Sequence, residues 1–177
     1  VPVSKPSLEI GTGSKVCWLL QKLSEIPASE SVVVFSQFRT LLEIVGREIP
    51  EICVMINGSV TKNERTIRIE KFQAGESRIA LVTLGCGSTG LNLTRANHVV
   101  LLDPWWNSAT EAQAMDRVYR IGQRRDVFVY RLIAESTIEA KIVELQQRKE
   151  AIAKGTVTSL TREEIMAANT LRKLFES

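Results

Sequence analysis

Short runs of aliphatic and β-branched residues alternate with helical patterns along this chain, and that alternation constrains the fold more than any other feature. Most of the runs lack the apolar and polar alternation of a half-exposed strand, so they are predicted to be buried on both faces. Such strands, separated by helices, predict an α/β domain of three layers, α/β/α, with a mostly parallel sheet. The predicted strands are 32–35, 52–56, 79–84, 99–102 and 127–133.

The helical patterns fall between and around the predicted strands. Residues 16–23 carry apolar side chains at i, i+3, i+4 and i+7, the spacing of an amphipathic helix, and Pro27 ends this pattern. A cap near Ser14 is expected to start the helix. The other predicted helices are 41–49, 65–72, 112–121, 137–154 and 161–175.

Length and composition allow one domain with a real core. The chain has 177 residues, of which 44% are hydrophobic, and no apolar run is long enough to span a bilayer. Its three cysteines lack the paired spacing of a metal site, which favours reduced, buried thiols in an intracellular protein, with no metal. The net charge of +3 is compatible with a polyanionic partner but does not establish one.

The two ends of the chain differ in composition from its middle. Residues 1–13 are rich in proline, glycine and hydroxyl side chains and are predicted to be a linker. The domain is expected to cover 14–155, including a long closing helix, and 156–177 to form a C-terminal helical extension. The chain begins with Val1 and shows no targeting signal, which is typical of an excerpt from a longer polypeptide.

Gly85, Gly87 and Gly90 form the pattern G-x-G-x-x-G after a predicted strand, and Asp103 follows 18 residues after Gly85 (103 − 85). This spacing resembles a dinucleotide-binding fingerprint, in which such a carboxylate binds the ribose. Only 13 residues, 85–97, separate the two strands, however, which leaves room for about two helical turns after the glycines. A dinucleotide site is therefore disfavoured. Backbone amides that approach a phosphate and a simple tight turn both stay open as interpretations.

Three polar residues downstream share a helical spacing. Gln113, Arg117 and Arg120 stand at i, i+4 and i+7, so they are predicted to lie on one face of a helix. Ordinary solvated helix faces also carry arginines at this spacing. The spacing alone therefore does not decide between a solvated face and a site.

Longer motifs around these residues resemble those of a known family. DPWWNSATEAQAMDRVYRIGQ (103–123) resembles motifs Vb and VI of the Swi/Snf-type ATP-dependent DNA translocases, a family of helicase superfamily two. VVVFSQF (32–38) resembles its motif IV, NGSVTKNERTIRIEKFQ (57–73) the following segment, and GCGSTGLNL (85–93) its motif V. The resemblance covers nearly all of 14–154. Within the family, the chain is similar to the subgroup around helicase-like transcription factor and its fungal post-replication-repair relatives.

The chain also departs from the family pattern. The family often has Lys-Ala-Gly-Gly at 85–88, so a basic DNA contact at position 85 is not expected here. Both arginines of the last motif are retained. At 85–88 this chain has Gly85, Cys86, Gly87 and Ser88, of which only Gly87 matches, and the other departing residues are Asn57, Ser108 and Tyr119.

The resemblance implies a RecA-like fold and a part in ATP hydrolysis. The family hydrolyses ATP between two RecA-like lobes, and this chain resembles the second. It contains neither G-x-x-x-x-G-K-[ST] nor a D-E-x-H box, so it is expected to be inactive alone, with ATP and Mg²⁺ bound mainly by the first lobe of the same polypeptide. By the family pattern, Arg117 and Arg120 are catalytic arginine fingers, while Gln113, Gly90 and Asp116 support the nucleotide.

The partner that the resemblance implies is double-stranded DNA, held through its phosphates, with nucleosomes as a further candidate. Each implied contact has an alternative as a helix cap, a solvated side chain or a turn residue. Trp105 and Trp106 could stack on DNA, but packing within the lobe, with one of the two buried, is the commoner role of such aromatics. The candidate DNA contacts are Ser36, Gln37, Lys62, Arg65, Ser88, Thr89, Asn92 and Trp105.

Three hypotheses follow. The favoured one is the second motor lobe of a nuclear ATP-dependent translocase on duplex DNA, which acts in chromatin remodelling or in repair and replication-fork remodelling. The others are a non-catalytic interaction module that retains the fold, and a dinucleotide-dependent enzyme. The helix 137–154 is expected to be a brace that packs across the lobes, as in the family. His98, the only histidine, is predicted to be structural.

Overall fold

Five parallel strands form one sheet in the computed structural model, which describes residues 13–153 and residue 166. The strands are β1 (Val32–Ser36), β2 (Cys53–Ile56), β3 (Ile79–Thr83), β4 (His98–Leu101) and β5 (Phe128–Arg131). They are hydrogen-bonded in the order β2-β3-β1-β4-β5, and every neighbouring pair is parallel. The predicted α/β class with a parallel sheet is confirmed.

Helices precede, separate and follow the strands. They are α1 (Ser14–Glu25), α2 (Arg39–Glu48), α3 (Lys62–Ala74), α4 (Ser108–Met115) and α5 (Ile138–Ala153), and a short 3-10 helix, Leu84–Thr89, follows β3. The helix α3 has clear start and stop signals. Thr61 and Glu64 form a capping box at its first turn, and Gly75, with φ 86°, ends it in the left-handed region.

The residues of β1 alternate between two core clusters on opposite faces of the sheet. Val33 and Phe35 belong to one cluster, together with Phe72 of α3. Val32 and Val34 belong to the other, together with side chains of α1 and α2. The domain therefore has the predicted three layers, with helices on both sides of the sheet.

The segment after α4 does not continue the helix, so the prediction of a helix over 112–121 is wrong. The helix ends at Met115. The carbonyl of Arg117 accepts a hydrogen bond from the N–H of Leu93 at 3.0 Å, which removes it from the helical ladder. Arg117 and Arg120 consequently lie in turns rather than on a helix face.

The strand β5 is shorter and more exposed than the sequence predicts. It lies at one end of the sheet, where it pairs with β4. Phe128 and Val129 are both exposed. The predicted bounds 127–133 are therefore too wide, and β5 is not one of the strands buried on both faces, because an apolar run at a sheet edge has the same composition as one in its centre.

Several predicted features lie outside the described residues. These are residues 1–12 of the linker and the helix 161–175, with all of the C-terminal extension 156–177 except Met166. Gly13 is the N-cap of α1 without a side-chain cap, and Ser14 is the first helical residue rather than a cap. The division of the chain into linker, domain and extension stays a prediction.

The amino-terminal edge of the sheet is closed by Arg78, which lies just before β3. Its guanidinium donates to the Glu51 carboxylate, with an Nη2 to Oε1 distance of 2.6 Å. It also donates to the carbonyls of Leu23, Ile26 and Pro27. One side chain thus joins the amino ends of the strands to the end of α1.

His98, the first residue of β4, lies at the same edge and is buried. Its Nε2 contacts the Glu30 carboxylate, and its Nδ1 lies 3.4 Å from the hydroxyl of Tyr130. The ring stacks on Phe128, with 5.2 Å between centroids. These contacts support the structural role predicted for His98.

Composition predicted buried, reduced thiols and no apolar run long enough to span a bilayer. The three cysteines all lie within the described residues and none forms a disulfide, but only Cys86 is buried, whereas Cys17 and Cys53 are half-buried. In the part of the chain that the structure describes, no helix has both the length and the apolar character needed to cross a membrane.

Candidate functional site

A groove of about 690 Å³ lies at the carboxyl-terminal edge of the sheet. Its lining comes from segments at or after the ends of four strands, β1 to β4. Ligands bind preferentially at this edge of open parallel sheets, because the loops after the strands converge there. We call it the edge groove, and its lining residues are Gln37, Arg39, Asn57, Gly58, Ser59, Thr83, Gly85, Cys86, Trp105 and Thr110.

A buried carboxylate, Asp103, ties two strand ends together beside the edge groove. It accepts a hydrogen bond from the Ser36 hydroxyl at 2.5 Å and one from the N–H of Gln37 at 2.9 Å. Burial raises the pKa of Asp103 to about 6, although these two hydrogen bonds lower it. Asp103 thus orders the loop after β1.

The glycine pattern does not begin a long helix. Leu84–Thr89 forms the 3-10 helix, and Gly90 follows in the left-handed region with φ 67°. No regular helix lies between Gly90 and β4, a segment that is described throughout. The dinucleotide hypothesis is rejected, since the segment lacks the helix that the fingerprint requires and Asp103 is buried on Ser36.

Arg117 and Arg120 lie in the turns after α4, in a stretch (116–123) that we call the arginine segment. Arg117 is half-buried, and its Nε is buried with no hydrogen-bond partner in the described part of the chain. Arg120 is exposed. A buried N–H without an acceptor costs free energy, so the described residues do not satisfy the Arg117 guanidinium as fully as they satisfy that of Arg78.

The residues expected to support the nucleotide are exposed. Gln113 lies on α4, and Asp116 is the C-cap of that helix. Because both arginines lie beyond the helix end, the prediction that Gln113, Arg117 and Arg120 share one helix face is wrong. A Cβ added to Gly90 would meet no heavy atom of the described residues within 4 Å. The glycine is therefore required by its left-handed backbone rather than by crowding.

The two motif IV candidates differ in accessibility. Ser36 is fully buried and donates to Asp103, so the structure does not support it as a DNA contact. Its oxygen also accepts from the N–H of Phe38, which is itself the N-cap of α2, and α2 has no side-chain cap, so the capping alternative for Ser36 is not supported either. Gln37 lines the edge groove, and its Oε1 is buried without a hydrogen-bond partner among residues 13–153 and 166. Gln37 is the better-placed candidate of the two.

The other polar DNA candidates lie at the surface or partly within it. Lys62 is exposed at the first position of α3. Arg65 is half-buried and donates through Nη2 to the carbonyl of Val60 at 3.3 Å. Asn92 is exposed, and its carbonyl accepts from Gln73 at 2.8 Å. The side chains of Ser88 and Thr89 lie outside those that the structure describes.

Trp105 and Trp106 are both half-buried, so the prediction that one of the pair is buried is wrong. Trp105 packs against the core cluster of Val33 and Phe35 and also lines the edge groove. The Nζ of Lys149 lies 5.3 Å from the ring centroid of Trp106. Trp105 therefore combines the packing role with access to the groove.

Sequence reasoning missed a buried polar cluster behind Trp105. Glu111 accepts from the N–H of Trp105 at 2.7 Å and from the guanidinium of Arg131, and Gln146 donates to it at 3.0 Å. Glu111 and Gln146 are 1% and 2% exposed. No local pattern marks these residues, because their spacing is ordinary for exposed helices.

Besides the contacts of Gln146, an ion pair between Lys15 and Glu139 holds the start of α5. The Nζ of Lys15 on α1 lies 2.5 Å from the Glu139 carboxylate and donates to the carbonyl of Leu102 at 2.6 Å. Since Leu102 follows β4, α5 packs against the carboxyl-terminal edge of the sheet. In the described residues no three His, Cys, Asp or Glu side chains are grouped as a metal site would require.

The chain matches the family model "Helicase conserved C-terminal domain" over residues 14–122. DNA repair protein RAD5 of Yarrowia lipolytica is 39% identical over 147 residues, which are 81% of this chain and 14% of that protein. The chain thus corresponds to a small part of a much longer relative.

Solved structures agree with the sequence match. The C-terminal part of the Fun30 ATPase domain superposes with a TM-score of 0.73 at 26% identity, over 93% of this chain and 53% of that one. The SWI2/SNF2 ATPase core domain of Sulfolobus solfataricus gives a TM-score of 0.63 at 31% identity, over 87% of this chain and 33% of that one. The chain therefore belongs to the helicase conserved C-terminal domain family, as a Swi/Snf-type second RecA-like lobe.

Proposed function

We propose that this chain is the second motor lobe of an ATP-dependent translocase on double-stranded DNA. One observation carries the proposal: Arg117 has a buried Nε without a partner among the described residues, within the motif that supplies arginine fingers in the family. Family membership and the DNA repair relative RAD5 support it.

In this proposal, Arg117 and Arg120 reach the γ-phosphate of ATP bound on the first RecA-like lobe of the same polypeptide. A guanidinium there stabilises the charge that develops during phosphoryl transfer, an effect worth about 10³- to 10⁵-fold in kcat. Gln113, Gly90 and Asp116 support the nucleotide. Mg²⁺ would neutralise phosphate charge from a site on the first lobe, and the isolated second lobe would not hydrolyse ATP.

The edge groove is the proposed surface for duplex DNA. Gln37 and Trp105 line it, and phosphate contacts would hold the duplex without sequence preference. Each cation that neutralises a phosphate releases a counterion, so removal of one is expected to lower the salt slope of binding by about one unit. Lys62, Arg65, Ser88, Thr89 and Asn92 complete the proposed contacts.

We further propose that the whole protein acts in the nucleus, in DNA repair or chromatin remodelling, with nucleosomes among its substrates. The repair role of RAD5, as its name states it, supports this assignment. The motor lobe is proposed to span 14–155, with 156–177 as a helical extension. Imaging of the tagged full-length protein tests the location.

DNA-stimulated ATP hydrolysis by the full-length protein tests the motor proposal. Arg120→Ala is compared with Arg124→Ala, a matched control that is also exposed but lies outside the motif. Duplex DNA is expected to stimulate the wild type and Arg124→Ala alike. Arg120→Ala is expected to lose about 10²-fold or more of kcat while it retains its affinity for DNA.

The alternative is a non-catalytic interaction module that retains the fold. It takes over if duplex DNA does not stimulate the wild type, or if Arg120→Ala turns over ATP as fast as Arg124→Ala. Single-stranded DNA and a reaction without DNA serve as comparisons, because a translocase on duplex DNA responds most strongly to the duplex.

A further inference from the structure

We infer that Glu111, Arg131 and Gln146 form a positioning network that links α5 to the edge groove and couples DNA binding to ATP turnover. The inference rests on the proposed function. It assigns a role to three side chains that come from α4, β5 and α5 and meet behind Trp105.

Glu111 fixes the start of α4. It lies in the first turn of that helix and is 1% exposed. Its carboxylate accepts hydrogen bonds from the N–H of Trp105, from Arg131 and from the amide of Gln146. Because a buried carboxylate without partners is costly, these bonds hold the helix start to the Trp105 backbone and to β5.

Gln146 connects the same cluster to α5. Its Nε2 donates both to Glu111 and to the carbonyl of Trp105, and its Oε1 accepts from Arg131 at 3.5 Å. A single amide group thus contacts the groove-lining residue, the helix before the arginine segment and the edge strand. The start of α5 is held separately by Lys15.

The positioning network contacts both the edge groove, through Trp105, and the helix that leads to the arginine segment, through Glu111. Trp105 lines the edge groove, and α4 leads from it to Arg117. The Trp105 carbonyl and the Glu111 carboxylate both accept from the Gln146 amide. In this inference, a displacement of Trp105 by bound DNA therefore changes the position of α4 and of the arginine segment. A buried network with its partners in place has few alternative arrangements, so it transmits such a displacement.

The test compares two neighbouring positions of α5 in the full-length protein. Gln146→Leu removes the buried amide, and Gln147→Leu makes the same change at an exposed position. The readout is the ratio of the ATPase rate at saturating duplex DNA to the rate without DNA. Because bound DNA stabilises the folded state, a loss of stability alone leaves this ratio unchanged or raises it, whereas a loss of coupling lowers it.

We expect Gln146→Leu to lower this ratio by about fivefold and Gln147→Leu to keep the wild-type ratio. If Gln146→Leu keeps the wild-type ratio while duplex DNA stimulates the wild type, the network is only structural and the inference is overturned, although the proposed function stands. If duplex DNA does not stimulate the wild type, the proposed function fails and the inference fails with it.

A variant of nearly the same size covers the case in which Gln146→Leu does not fold. Gln146→Met keeps the unbranched shape and nearly the volume of the side chain, and it removes the amide donor without adding a charge next to Glu111. The same fall in the ratio is expected for Gln146→Met, and an unchanged ratio overturns the inference.

Discussion

The amino-terminal edge of the sheet and the arginine segment use arginine in opposite ways. At the amino-terminal edge, all three guanidinium nitrogens of Arg78 donate to Glu51 or to backbone carbonyls. In the arginine segment, Arg117 keeps a buried Nε that no described residue accepts from, and Arg120 is exposed. The same residue type is thus satisfied by partners within the lobe in one region, and in the other it keeps a donor without a partner among the described residues.

The largest expected effect on stability is at the closed edge. Arg78→Ala removes the donors to Glu51 and three carbonyls, so the free energy of unfolding should fall by about 2–3 kcal/mol. Arg47→Ala, an exposed position on α2, should change it by less than about 0.5 kcal/mol. Urea titration measures both values. Equal losses in the two variants would contradict a stabilising role for the hydrogen bonds of Arg78.

The two ends of the sheet also differ in the pKa values of their carboxyl groups. Arg78 holds the pKa of Glu51 below its usual value, whereas burial raises the pKa of Asp103 from 3.8 to about 6. A raised pKa means that the folded state binds the proton more tightly. The contribution of Asp103 to stability is therefore fully present below pH 3.8 and is lost as the pH rises through about 6.

The variant Asp103→Asn isolates this dependence. The free energy of unfolding of the wild type, relative to Asp103→Asn, should fall by about 2 kcal/mol between about pH 4.5 and about pH 7.5. Urea titrations at several pH values measure the difference. A difference that rises with pH would contradict the assignment, since it would mean that the carboxylate is stabilised in the folded protein.

The smallest expected effect concerns the turn beside the arginine segment. Gly90→Ala places a Cβ in a left-handed conformation with open space around it, so it should cost about 1 kcal/mol, and Gly90→Asn less. Gly85→Ala is the matched control, because Gly85 has open space without a positive φ. Thermal denaturation measures all three. Equal costs at both glycines would show that backbone strain at Gly90 is not the cause.

Local periodicity predicted most of the fold. The strand Val32–Ser36 and the helix that starts at Ser14 follow from apolar spacing. The strand is buried on both faces and the helix buries one apolar stripe, so each leaves a regular pattern in the sequence. The end of α4 did not follow, since the segment after it makes contacts that are distant in sequence, such as the hydrogen bond from Leu93, 24 residues before Arg117 (117 − 93). Local spacing carries no signal for such a contact.

The candidate site residues came from the resemblance rather than from local spacing, and their roles stay predictions. The resemblance picked out Arg117 and Arg120 directly, because their motif is contiguous. Glu111 and Gln146 are 35 residues apart and belong to types that are usually exposed, so nothing in the sequence marks them as buried partners. Ser36 was misplaced because a hydroxyl after a strand has the same local pattern whether it faces a groove or a buried carboxylate.

The most direct test of the account compares Arg117→Ala with Arg78→Ala in the full-length protein, with DNA-stimulated kcat divided by the folded fraction. We expect Arg117→Ala to lose about 10²-fold or more of kcat with little change in stability, and Arg78→Ala to lose stability and keep its turnover per folded molecule. Full turnover in Arg117→Ala, or a loss in Arg78→Ala beyond its unfolded fraction, would contradict it.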